Sequence, residues 1–236
     1  SLGKLVEKGR MSAAERDGTL ARVRTSLDLR DLAGSDVVIE AVVEDRELKK
    51  RVFAELDALC PPETVFASNT SSISITELAA STERADRFVG MHFFNPVPLM
   101  SLVEVVRGLA TSDATAKGIM ELAVAMGKTA VEVRDRPGFA SNRILMPFVN
   151  EAFFALQEGV ASAKDLDTVA KLGFNHPMGP LELADLIGLD TCLAVMEVLH
   201  QEFGEPKYRP APLLREYVRA GRLGRKSGRG VYDYGD

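Results

Sequence analysis

The chain has 236 residues, 46% of them hydrophobic and 27% charged, with a formal net charge of −5. That balance suits a globular protein with a real core, in one large or two ordinary domains, and argues against a general nucleic-acid binder, which carries a basic face. No apolar run approaches membrane-spanning length, the start lacks a signal-peptide core, and Cys60 and Cys192, far apart, read as reduced thiols of a cytoplasmic protein.

In chain order, Leu2, Leu5 and Val6 share one face of an opening helix. A polar segment follows, with a capping box at Ser12-Ala13-Ala14-Glu15. Residues 36–43 form an apolar, β-branched run that suits a parallel strand covered on both faces. Leu48, Val52, Phe53, Leu56 and Leu59 mark a helix stopped by Pro61-Pro62. A short strand over 64–68 leads to Asn69-Thr70-Ser71-Ser72, and Ser74 to Glu77 reads as a second capping box.

Strands over 88–92 and 102–106, a helix over 113–126 and a strand over 129–133 complete an alternation that predicts a doubly wound α/β sheet. After Arg136-Pro137-Gly138 no convincing strand appears until the last few residues. Helices are expected over 144–156, 162–172 with Gly173 as its cap, 181–187, 190–203 and 213–220. The domain boundary therefore falls near 135, with an α/β domain over 1–134 and an all-α domain over 135–236.

Four polar residues stand at or near the ends of apolar runs: Ser71, His92, Glu104 and Asn142. His92, one of three histidines, lies where a strand gives way to Pro96 and Pro98, the place where open α/β sheets put their chemistry. It reads as a satisfied structural histidine or as a general base. Glu104 is either an outward strand position or the acceptor that fixes the His92 tautomer. Ser71 serves equally as a helix cap, and Asn142 as the plain start of a helix.

Taken together, Phe66-Ala67-Ser68-Asn69-Thr70-Ser71-Ser72, Gly90-Met91-His92-Phe93-Phe94-Asn95-Pro96-Val97-Pro98 and Leu102-Val103-Glu104-Val105-Val106 resemble the L-3-hydroxyacyl-CoA dehydrogenase family. Pro137-Gly138-Phe139 with Ser141-Asn142-Arg143, Pro177-Met178-Gly179-Pro180 and the segment from Gly224 to Tyr232 extend the match over essentially the whole chain. The single-chain bacterial 3-hydroxybutyryl-CoA dehydrogenases look most similar.

The resemblance implies NAD-dependent interconversion of (S)-3-hydroxyacyl-CoA and 3-ketoacyl-CoA on a Rossmann-type sheet. In that reading His92 matches the general base and Glu104 its orienting carboxylate. Ser71 and Asn142 match residues that hydrogen-bond the reacting oxygen or the thioester side of the substrate. Glu44, Lys49, Asn95 and Lys226 match cofactor-contacting positions, with ordinary surface charge as the other reading of the two lysines. Ser1 and Lys8 align with positions that meet coenzyme A. A homodimer through the helical domain is implied as well.

The front departs from the family, whose first β-α-β unit carries a glycine-rich loop; no G-x-G-x-x-G stands anywhere in this sequence. Loss of that unit would bare a sheet edge and invite aggregation, so the unit is expected outside this stretch. Two other readings stay open: a hydroxyacid dehydrogenase acting on a substrate without CoA, and a truncated, non-catalytic binding or dimerisation module.

Overall fold

The structure, a computed structural model, describes residues 2–235. Helix α1 (Leu2–Glu7) packs against α2 (Ala13–Leu20), and the predicted capping box opens α2. There Ser12 Oγ accepts the Glu15 N–H at 3.2 Å, and the Glu15 carboxylate accepts the Ser12 N–H at 2.8 Å. Strand β1 (Val37–Glu40) is shorter than the apolar run around it. The chain leaves the sheet at Val42, whose N–H is taken by the Glu40 carboxylate at 2.6 Å. Helix α3 (Arg46–Leu59) starts on an Asp45 cap and ends before Pro61.

Strand β2 (Val65–Ser68) leads to α4 (Ile75–Ala79), where only half of the second predicted capping box forms. Ser74 accepts the Glu77 N–H, but the Glu77 carboxylate reaches out to Lys50 (2.6 Å) and Arg46 (3.4 Å). Asp135 takes over, accepting from Ser74 Oγ at 2.7 Å and from the Thr76 N–H at 2.8 Å. This ties the start of α4 to the end of the sheet, next to the entry into the helical region.

Strands β3 (Phe88–Phe93), β4 (Leu102–Arg107) and β5 (Thr129–Arg134), with α5 (Asp113–Ala125) between the last two, complete a five-stranded sheet in the order β1-β2-β3-β4-β5. The pairs are parallel except β3 with β4, which run antiparallel through a loop without a helix. Strict strand–helix alternation thus fails at one point, where His92 comes to lie opposite Glu104.

Period-two alternation splits the strand side chains between two covered faces. Phe66 and Phe88 pack with Phe53 and Leu56 of α3 and Ile75 of α4. Ala67, Val89 and Met91 pack with Ile119 and Ala123 of α5 on the other side. Gly90 shares the Phe88 face, where an added Cβ would sit 2.7 Å from Val106 Cβ and 2.8 Å from Ile75 Cδ1. Gly90→Ala is therefore expected to cost about 1–3 kcal/mol by overpacking. Urea denaturation checks this, and an unchanged midpoint would contradict the packing.

Helices α6 (Ser141–Gln157), α7 (Ala163–Gly173), α8 (Pro180–Ile187), α9 (Leu189–Phe203) and α10 (Pro212–Arg219) enclose a separate core around Val149, Phe153, Leu181, Met196 and Leu214. Gly173 is the last residue of α7 and not its left-handed cap; the positive φ of 57° falls on Asn175. The last residues return to this core on two buried carboxylates. Asp185 accepts the N–H groups of Val231 and Tyr232 and the Tyr234 hydroxyl, and Asp167 accepts the Tyr232 hydroxyl at 2.6 Å. Gly230 is required there, because a Cβ would fall 1.9 Å from Asp185 Oδ1.

Candidate active site

The antiparallel register places His92 beside Glu104, and both are buried, at 5% and 2% exposure. His92 Nδ1 lies 2.8 Å from Glu104 Oε2, and His92 Nε2 lies 3.1 Å from Ser71 Oγ. The ring packs between Phe94 and Phe139, with centroids 4.7 and 5.8 Å away. Since a carboxylate only accepts, Nδ1 carries the proton toward Glu104 and Nε2 keeps a lone pair on the Ser71 side. Asn142 Nδ2 donates to the Ser71 carbonyl at 3.1 Å. The four residues singled out in the sequence thus form one cluster, from the loop after β2, from β3, from β4 and from the first turn of α6.

The sequence reading missed the way Glu104 is held. Helix α6 has no side-chain cap at Ala140; its free N–H groups are taken by Glu104 from across the structure. Oε1 accepts from Ser141 N at 2.8 Å and from Ala140 N at 3.2 Å, and Oε2 accepts from Ser141 Oγ at 2.8 Å. Burial alone would push the Glu104 carboxyl up, but hydrogen bonds from His92 and from Ser141 outweigh it and hold it below the usual carboxylate range. The positive end of the helix acts in the same direction. The one signal available was Ser141 itself, in Ser141-Asn142-Arg143, since its partner lies 37 residues upstream.

Glu44 stands on the other side of Ser71. Its Oε1 accepts from Thr70 Oγ1 at 2.6 Å and from the N–H groups of Ser71 (3.0 Å) and Ser72 (3.3 Å). The side chain remains 41% exposed, so a half-open carboxylate holds the backbone of Ser71, the histidine's partner. Lys49 is wholly buried, bonded to Glu40 Oε1 at 2.7 Å and 3.4 Å from Glu44 Oε2. Its burial rules out plain surface charge, and its ammonium sits behind Glu44.

Asn95 is exposed two residues past β3, and Lys8 is exposed just after α1. Lys226 pairs with Asp190 at 2.6 Å, and among the described residues no hydrogen bond or ion pair joins it to the His92 cluster. Ser1 lies outside the described residues. Cys60 and Cys192 are buried and unpaired, and burial pushes the Cys192 thiol up to about 12.

Similarity to known proteins places the chain in a family. The profile described as 3-hydroxyacyl-CoA dehydrogenase, NAD binding domain, matches residues 1–136, and that of the 3-hydroxyacyl-CoA dehydrogenase C-terminal domain matches 138–234. The chain belongs to the 3-hydroxyacyl-CoA dehydrogenase family. It is 58% identical to the probable 3-hydroxybutyryl-CoA dehydrogenase of Bacillus subtilis, over 99% of this chain and 81% of that one. The 3-hydroxybutyryl-CoA dehydrogenase of Clostridioides difficile is 52% identical, over 99% and 83%. The crystal structure of (S)-3-hydroxybutyryl-CoA dehydrogenase from Ralstonia eutropha superposes with a TM-score of 0.97 at 54% identity, covering 100% of this chain and 83% of that one.

As in other members of this dehydrogenase family, NAD is the cofactor. Among the described residues no helix is long and apolar enough to cross a membrane.

Proposed function

We propose that this dehydrogenase oxidises (S)-3-hydroxybutyryl-CoA and related short-chain (S)-3-hydroxyacyl-CoA thioesters to their 3-keto forms, and reduces them in the reverse direction. The continuous Ser71–His92–Glu104 relay carries the reading. Oxidising a secondary alcohol removes a proton from oxygen and a hydride from carbon, and bound NAD⁺ supplies the acceptor for the hydride. His92 Nε2 takes the proton, and Glu104 stabilises the imidazolium that results. Ser71 Oγ hydrogen-bonds the reacting oxygen in either direction. The Asn142 amide holds the Ser71 loop and offers a donor to the carbonyl that develops.

The test is NADH consumption with acetoacetyl-CoA against free acetoacetate. Turnover of the thioester alone is the expected result. Turnover of the free acid at a similar kcat/KM would replace the assignment with a hydroxyacid dehydrogenase.

The active unit is a homodimer in the cytoplasm. Ile144 and Phe148 of α6, Val169 and Leu172 of α7, and Phe174 edge-to-face with His176 make an apolar face on the helical region. A face with Ile144 75% and Leu172 82% exposed suits a second copy of the chain. Buried, unpaired cysteines suit a reducing compartment. Leu172→Glu is expected to yield monomers in analytical ultracentrifugation, and an intact dimer in that variant would exclude this face.

A further inference from the structure

The Ser141 hydroxyl has no part in the reaction outlined above, yet it donates at 2.8 Å to Glu104 Oε2, the oxygen that meets His92 Nδ1, also at 2.8 Å. The other oxygen, Oε1, is already satisfied by the N–H groups of Ala140 and Ser141. The carboxylate is therefore anchored without the hydroxyl, whose added effect falls on Oε2 alone. A carboxylate offers about four lone-pair sites, and the two donors on Oε2 compete for the same electron density.

We propose that Ser141 is a positioning residue of the dehydrogenase reaction: its hydroxyl shares Glu104 Oε2 with His92 and so limits how strongly the imidazolium is stabilised. This rests on the reading of His92 as general base. The bond runs from the first turn of α6 to a strand of the sheet, so the helical region sets the strength of a base it does not carry.

The surroundings leave few competing causes. From β3 comes His92 itself. The loop after β2 offers Ser71, whose N–H is bonded to the charged Glu44. Strand β5 places Val131 beside Glu104 in register. Helix α6 brings only its N–H groups and Ser141 to the carboxylate. His92 is the one ionisable side chain bonded to Glu104 among the described residues.

Removing the hydroxyl leaves Oε2 entirely to His92 and strengthens the hold on the protonated ring. In Ser141→Ala the acid limb of kcat/KM for oxidation should therefore move to higher pH, by about half a unit or more. Alanine is the best helix former, so the variant keeps the turn intact. Ser141→Thr restores the hydroxyl and should bring the limb back.

An independent readout needs no turnover: the midpoint of the His92 ring titration by NMR on ¹⁵N-histidine protein, its signals assigned with His92→Ala. An upward move of both limb and midpoint in Ser141→Ala, reversed by threonine, supports the assignment. Limb and midpoint both unmoved, or moved and not restored by threonine, would overturn it. If His92→Ala keeps turnover, the reading of the base has failed, and the NMR midpoint still decides whether Ser141 governs the ring.

Discussion

Replacing His92 with alanine is expected to lower kcat for 3-hydroxybutyryl-CoA oxidation by about three orders of magnitude, with a smaller change in KM. The imidazole is the one nitrogen base of the cluster, able to take a proton at Nε2 while Nδ1 stays bonded to Glu104. Water reaching the cavity left by the ring would be a weaker and unoriented base. Glu104→Gln should cost less, because Oε1 still accepts from Ala140 and Ser141 and the amide keeps its place.

The amide cannot stabilise the imidazolium electrostatically, however, so the acid limb of that variant should move to lower pH, opposite to Ser141→Ala. Steady-state kinetics over pH on the three proteins checks the set. Near-normal kcat in His92→Ala would remove the histidine from the chemistry altogether.

Lys49→Met is expected to destabilise the protein by about 3–5 kcal/mol, because it leaves a charge buried without its partner. Glu40 is 4% exposed, and Lys49 Nζ meets one of its oxygens at 2.7 Å while Ser68 Oγ meets the other at 2.6 Å. Methionine fills the stem volume but supplies no charge. Adding Glu40→Gln should recover much of the loss, since the stranded carboxylate is then gone.

The same substitution frees Glu44, 3.4 Å from the ammonium, and should raise the KM for NADH in whatever protein folds. Urea melts of the single and double variants measure the first effect. A loss below about 1 kcal/mol would mean that Glu40 finds another partner or a proton.

The residues alone were sufficient for much of the architecture. Alternating apolar runs and helical stripes, such as Leu48 to Leu59 against 64–68, locate the strands and helices because each is a local periodicity. Pro137-Gly138 marks where strands give way to helices for an equally local reason. The motifs around Ser71, His92, Glu104 and Asn142 pointed to the cluster through their order, and to the family through their resemblance.

What the residues could not declare is pairing over distance. The antiparallel turn between β3 and β4, and hence His92 opposite Glu104, follows from sheet register, which no single strand encodes. Lys49 reads as a cofactor-contacting position or as surface charge on a helix until the sheet closes over it and Glu40 supplies the partner that makes burial tolerable. Ser141 stands in the sequence only as the neighbour of Asn142 in Ser141-Asn142-Arg143, and only the meeting of the start of α6 with β4 turns Glu104 into that helix's cap. Local sequence determined which elements form and which side chains could do chemistry; tertiary structure decided which meet, because a hydrogen bond between strangers in sequence exists only once the core has fixed the distance between them.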